Sequence, residues 1–487
     1  MSEYGIWNGA DPEIDLKLSD QFKTNLLKDY MLQYTLPDGK IHAIKRNFEK
    51  EFEDGLKRSD DETAQNISSL GMKVTYFTEF FDGTENGDFV IMCLNRRHLL
   101  LLLAKIRPGY PIETEREYFI VSENTRRSPY IQIFDYLCDC LLKFFSKHEL
   151  LNKTQIVGFC TDLPIVQFGI NYAMVWYFTE SATDLPLNCY DMNKCFEMVL
   201  LKERYRELKI ELIAVMNKNT SMFVKACYLC GKIDMFINFS DDCDLLYCEN
   251  PVRVKKWAGS NSAERVLIDT ELKNFGGSGC LDFIATDLEW LAATSSTSTD
   301  KRARLQKFIS DQYILELIKH ILIDLQHRLM FCRKTEIGKL QSDGISLTEL
   351  CDFANTKDLK HAAAILLGGT IGGSVEDAMV AKYVCKIVLI RAAVLISLCM
   401  THVMMRFLDD DFIIAVNSPL LRKHPDYETY VRNIMAILAP EKKFQFLWTE
   451  DEFSFEGAAL ATSIIYRMEI SPRIITPISY DSAVIHF

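Results

Sequence analysis

Strand-like and helix-like patterns alternate along this sequence, and that alternation sets the class of fold open to it. In chain order, residues 18–31 and 41–56 read as helices, the second because Ile41, Ile44, Phe48, Phe52 and Leu56 recur at helical spacing. Residues 74–80, 89–94, 99–106, 154–160, 210–216 and 232–239 read as strands. Between them, 129–146 reads as a helix with Ser128 as N-cap and Pro129 in its first position, and 195–208 as another helix. Beyond the polar stretches 257–265 and 294–300, helices 314–329, 375–406, 425–439 and 456–468 alternate with strands 412–416 and 444–447. This is α/β organisation. The block after Glu211 is a candidate echo of the block before it, as a duplicated α/β lobe would give.

At 487 residues the chain has room for about three domains or two large lobes. Apolar residues are 48% of it, enough for a sizeable core, so disorder is excluded as the main state. The net charge of −12, without a long Lys/Arg run, excludes the basic face of a nucleic-acid binder and suits a protein that stays off anionic membranes. Residues 387–405 are the most apolar stretch, but Arg391 within it favours a buried helix over a membrane span. Fifteen cysteines, an odd and scattered set, read as reduced thiols. The acidic first fifteen residues lack an apolar signal core, and the cytoplasm is the expected location.

Four local motifs invite a chemical reading. The Gly-rich run ILLGGTIGGS (365–374) lacks the Lys-Ser/Thr of a phosphate loop and reads as a connection between helices. Cys227, Cys230, Cys243 and Cys248 form a candidate zinc set, though the second spacing is loose and buried apolar thiols are the plainer reading. The carboxylate runs 409–411 and 450–452 read as solvated loop charge. The nine histidines include no H-x-x-x-H pair, and no Ser/His/Asp or Cys/His arrangement is legible.

Five segments, in order, resemble the hexokinase family. They are VGFCTDLPIVQFGIN (157–171), GCLDFIATDLEW (279–290), LQKFISDQYILELIKHILIDL (305–325), AVNSPLLRKHPDYETYVRNIMAILAP (415–440) and EDEFSFEGAALATS (450–463). The resemblance implies a two-lobed actin-like ATPase, or hexokinase, fold with a cleft between a small and a large lobe. It puts a small lobe with its N-terminal helix at 13–212, a large lobe at 213–470 and a tail at 471–487. It also implies glucose in the cleft and transfer of the γ-phosphoryl of Mg-ATP to the sugar 6-hydroxyl.

Position by position, the resemblance also implies damage. Lys218 stands where the family has its catalytic Asp. An ammonium cannot accept the hydroxyl proton, and a positioned base is worth ~10²–10⁴ in rate. Among sugar contacts, Asn217 and Glu271 match the family, Asp162 replaces Ser, Asp269 replaces Asn and Gln306 replaces Glu. Thr179 is kept, but Glu180 replaces the Lys beside it. The first phosphate loop aligns with residues 93–98, where its glycines are filled and Arg96 and Arg97 add charge. The second aligns with 238–242, including Ser240, and the adenosine-loop Asp-Gly becomes Asn417-Ser418. Side chains at such glycines obstruct the approach of backbone amides to phosphate. The resulting expectation is a catalytically inactive hexokinase-like protein with a sugar-binding, regulatory or partner-binding role and no cofactor. Its expected partners are a hexose and a protein such as an active kinase, with no nucleic acid and no membrane. The alternative is a weak or altered ATP-dependent hexose 6-kinase, using Mg-ATP at the entry to glycolysis.

Overall fold

A computed structural model describes residues 5–11, 15–57, 68–128, 130–175, 190–240, 242–295, 303–332, 338–367 and 374–470. The strands in this set are β1 (Lys73–Val74), β2 (Gly87–Leu94), β3 (His98–Ile106), β4 (Glu113–Ile120), β5 (Gln155–Thr161), β6 (Ile165–Gln167) and β7 (Ala173–Val175). They continue with β8 (Tyr190–Asp191), β9 (Ile210–Asn217), β10 (Met235–Asn238), β11 (Asp244–Glu249), β12 (Val266–Asp269), β13 (Asp411–Asn417) and β14 (Lys443–Trp448).

Two mixed sheets share one topology. The first runs β4-β3-β2-β5-β9, antiparallel as far as β2 and parallel from β2 to β9. The second runs β12-β11-β10-β13-β14 in the same pattern, with β1 added outside β12. This is the echo expected after Glu211. A small third sheet, β6-β7-β8, lies beside the first.

Strand alternation sends neighbouring side chains to opposite faces, and both sheets are covered on each face. Val90, Met92 and Leu101 pack under the helices Tyr130–Lys147 and Met192–Leu200. The opposite face of that sheet, with Ile91, Cys93 and Cys160, meets the helices Lys218–Cys230 and Phe453–Ile470. The same pair of helices covers Phe236, Leu246 and Ala415 of the second sheet. The two helices touch closely: a Cβ on Gly457 would lie 1.9 Å from the Ser221 carbonyl oxygen, so glycine is needed there. On the far side of the second sheet lie the helix Asp38–Lys57 and the 30-residue helix Val375–Met404.

The helix Val375–Met404 is the one described helix long and apolar enough to cross a membrane, and 94% of its most apolar window is buried in the fold. Arg391 within it is only 2% exposed. It pairs with Glu289 and donates to the Ile284 carbonyl.

Several expectations shift. Of 74–80 only the first residue stays in a strand; the chain turns at Tyr76, whose φ is +61°. Strand β4 was not among the expected strands, because it is an exposed sheet edge with charged residues along it and has no apolar run. The expected helix 195–208 ends at Leu200 and is followed by the 3-10 turn Glu203–Tyr205. The expected helix 425–439 is present as Tyr427–Leu438, preceded by a short helix, Pro419–Lys423, that was not expected. Pro129, Thr179, Glu180 and the Gly-rich 368–373 lie outside the described residues.

Candidate functional site

Ligands of open α/β sheets gather beyond the carboxyl ends of parallel strands. Here those ends carry most of the sequence-derived candidates. Strand β2 leads into Arg96 and Arg97, β5 into Asp162 and β9 into Asn217 and Lys218. In the second sheet β10 leads into Ser240, and β13 into Asn417 and Ser418. Two polar contacts join the sets. Asn217 Nδ2 donates to Asp269 Oδ2 at 2.6 Å, and Lys218 Nζ donates to Asp451 Oδ1 at 2.8 Å.

Asn217 has a second task. Its Oδ1 accepts from the Thr220 amide at 2.7 Å and caps the helix Lys218–Cys230. Lys218 therefore starts the helix, with its ammonium held beyond the strand end. Asp451 Oδ1 also accepts from Asn417 Nδ2 at 2.9 Å. Asn417 Nδ2 lies 3.2 Å from Asn238 Oδ1 and 3.3 Å from Ser240 Oγ. Ser240 Oγ donates to Asn238 Oδ1 at 2.9 Å, and Asn238 Nδ2 donates to Asn219 Oδ1 at 2.9 Å. Ser418 Oγ donates to Asp311 Oδ1 at 2.9 Å and is buried.

Beside this network lies a cluster of acids and lysines. Asp269 Oδ1 accepts from the Glu271 amide at 3.0 Å, and Glu271 sits in the left-handed region with φ +51°. Its side chain pairs with Lys73 at 2.7 Å. Burial acts to raise the Glu271 carboxyl, but Lys73, Lys273 and Lys256 hold it below its ordinary range. Asp244 accepts from the Leu272 amide and from Asn219, and burial together with Asp269 and Asp242 pushes its carboxyl well up. Lys273 Nζ lies 3.3 Å from Asp242 Oδ1, and that carboxylate raises the Lys273 ammonium. Gln306 is buried next to the loop of Glu271: the preceding Leu305 amide donates to the carbonyls of Lys273 and Phe275.

Asp162 is solvent-accessible yet crowded by protein. Desolvation pushes its carboxyl up to about 6, against the pull of Lys218 and Arg96. Arg96 and Arg97 occupy the exposed turn between β2 and β3, where Asn95 Oδ1 accepts from the amides of Arg97 and His98 at 2.9 and 2.7 Å. Asp162, Asn217, Lys218, Asp269, Glu271, Ser240 and Asn417 thus fall into one region, and the reading of 450–452 as solvated charge is corrected for Asp451. Asn238 and Asp242 come from the segment aligned with the second phosphate loop, whereas Asp244, Lys273 and the site role of Asn219 were missed. The available signal was a polar residue just beyond the end of an apolar strand.

The four cysteines of the candidate zinc set are not assembled. Cys243 packs on the outer face of the second sheet, whereas Cys227 lies in the central core, with Cys248 against it. Cys248 stands five positions after Cys243, and an odd offset along a strand reverses the face. Among the described residues no three His, Cys, Asp or Glu side chains converge as a metal site.

Two family models, both described as hexokinase, match this chain at residues 26–228 and 239–464. Human (Homo sapiens) hexokinase-2 is 24% identical over 449 residues, covering 90% of this chain and 48% of that protein. Mouse (Mus musculus) hexokinase-1 is 24% identical over 486 residues, covering 97% and 48%. The chain spans about half the length of the curated relatives it matches. Among solved structures, hexokinase from Schistosoma mansoni complexed with glucose superimposes with a TM-score of 0.75 at 20% identity, covering 92% of this chain and 100% of that one. A second hexokinase crystal structure gives 0.73 at 18% identity, covering 91% and 99%. With its paired sheets of one topology around a cleft between two lobes, and both halves of its sequence matched, this chain belongs to the hexokinase family.

Proposed function

We propose that this hexokinase-family chain has lost phosphoryl transfer and acts by binding, with a hexose and a second protein such as an active kinase as partners. The observation that carries this reading is the Lys218–Asp451 pair. Transfer to a hydroxyl needs an acceptor for its proton. The residue that follows β9 offers instead an ammonium that donates to Asp451 at 2.8 Å.

The nucleotide side supports the same reading. Mg-ATP would need donors turned toward its phosphates and a carboxylate turned toward the metal. Asn417 spends its amide on Asn238, Ser240 and Asp451, and Ser418 spends its hydroxyl on Asp311. As arranged, these residues do not fit Mg-ATP. The sugar side remains polar through Asp162, Asn217, Asp269, Glu271 and Gln306, which supports a hexose as ligand. The cytosol as site of action is part of the proposal; the fourteen described cysteines, all unpaired, agree with a reducing compartment.

One observation favours a second reading, a weak or altered ATP-dependent hexose 6-kinase. The Asp162 carboxyl, raised to about 6, is suited to accept a proton near neutrality. The Asn417 network would then have to open to admit nucleotide.

Titration calorimetry with glucose and then Mg-ATP, beside a coupled ADP-release assay, separates the two. Glucose binding without nucleotide binding or turnover supports the first. Turnover that survives Lys218→Ala and disappears in Asp162→Asn supports the second and removes the first.

A further inference from the structure

Cys93 and Cys160 are direct partners across the parallel strands β2 and β5. Both side chains enter the central core, on the face covered by the helix Lys218–Cys230. Their thiols are near enough to shift each other's ionisation, Cys93 upward and Cys160 downward. Cys160 Sγ also lies 3.5 Å from Ser221 Oγ, in the first turn of that helix. Each cysteine stands at or next to the carboxyl end of its strand: Cys93 precedes Leu94, and Cys160 precedes Thr161 and the solvent-accessible Asp162. The pair is buried but within a residue or two of the cleft. Neighbouring strands lie ~4.7–4.9 Å apart, inside the ~4.4–6.8 Å Cα range that a disulfide spans.

We propose that Cys93 and Cys160 form a dithiol at the base of the cleft that hydrogen peroxide oxidises reversibly to a Cys93–Cys160 disulfide. The inference stands apart from what the cleft binds.

Cys160 is the attacking thiol. The Ser221 hydroxyl lies 3.5 Å from its sulfur; the neighbouring Cys93 thiol, Ser221 and the Lys218 charge lower the Cys160 thiol against burial and Asp162, while Cys93 is raised. By contrast, burial pushes Cys195 and Cys385 up to about 12. The Cys160 thiolate attacks one peroxide oxygen. The O–O bond breaks, the sulfur becomes a sulfenic acid and the other oxygen leaves as hydroxide, which takes up the proton Cys160 gave up. The Cys93 sulfur then attacks the Cys160 sulfur; the S–S bond forms, the S–OH bond breaks, and hydroxide leaves with the Cys93 proton as a second water. Two thiols lose two electrons and two protons, and one peroxide becomes two waters.

The test uses the whole chain, reduced, desalted and treated under native conditions with hydrogen peroxide. Free thiols are blocked after denaturation, and unreduced peptides are mapped by mass spectrometry, with exposed Cys230 as a reactivity control. The expected result is a peptide cross-linked through Cys93 and Cys160 that dithiothreitol separates. In Cys93→Ser the cross-link is lost and Cys160 is trapped as a sulfenic acid by dimedone. Full blocking of both thiols while Cys230 is oxidised, or cross-links only between other cysteines, overturns the proposal. The wild-type map decides this even if a variant fails to fold.

Discussion

Lys218 and Asp451 meet at 2.8 Å across the junction of the two sheets, one just beyond β9 and the other just beyond β14. The Asn417 amide reaches the same carboxylate oxygen at 2.9 Å. The cation therefore occupies part of the cleft while being neutralised by it. Both partners remain substantially solvent-accessible, and exposed pairs of this kind contribute ~0–1 kcal/mol. Lys218→Ala should thus shift the unfolding free energy by less than about 1 kcal/mol in urea. It should leave ADP release at background, because removing the ammonium supplies no proton acceptor.

Asn217 is expected to matter more for the fold than Lys218. It caps a helix through Oδ1 and holds Asp269 through Nδ2. Loss of a cap costs about 1 kcal/mol, and Asp269 would lose a donor inside the protein. Asn217→Ala should lower stability by about 2 kcal/mol in urea titration. Asn217→Asp should cost more, since it faces one carboxylate with another while preserving the cap.

Arg391 and Glu289 are both almost fully buried, in the core beside the second sheet. Breaking a buried pair leaves one charge uncompensated and costs ~3–5 kcal/mol. Arg391→Leu or Glu289→Leu alone should therefore destabilise by about that amount in chemical denaturation. The double variant should recover only part of the loss. Glu289 Oε2 also accepts from the Thr286 amide at 2.8 Å, and Arg391 serves the Ile284 carbonyl, so two backbone groups would be left without these partners.

The same pair explains what the sequence could and could not disclose. A single Arg in an apolar run is enough to favour a protein core over lipid, but its partner lies 102 residues away and has no local signature. The strands that pack on both faces, such as β2, β5 and β9, stand out as apolar runs. Strand β4 does not, because an exposed edge admits Glu113, Arg116 and Tyr118. At the site, the resemblance located Asn217, Lys218, Asp269 and Glu271 because they follow strand ends in the family's order. Asp451 and Lys273 were invisible as partners, since their roles arise from which strands become neighbours. Cys243 and Cys248 looked like ligands by spacing alone, until the strand between them turned them to opposite faces.

His424 carries the last expectation, a pH dependence of stability. It is 6% exposed, and its Nδ1 accepts from the Asp426 amide at 3.2 Å. Burial pushes its imidazole down to about 4 from an ordinary 6.5, only partly opposed by Asp426. The unfolded chain therefore binds the proton more readily than the folded one, and stability rises with pH across that interval. The contribution is complete above about pH 6.5 and declines as the pH falls toward 4. At about 1.4 kcal/mol per pKa unit, the loss approaches ~3 kcal/mol at the acid end. His424→Asn keeps an acceptor for the Asp426 amide but cannot titrate there. Urea unfolding at pH 7.5 and at pH 5 should show a smaller pH-dependent drop in the variant than in the native chain. An equal drop in both would place the acid sensitivity elsewhere, with half-buried His402 the next group to test, since desolvation pushes its imidazole down to about 4 as well.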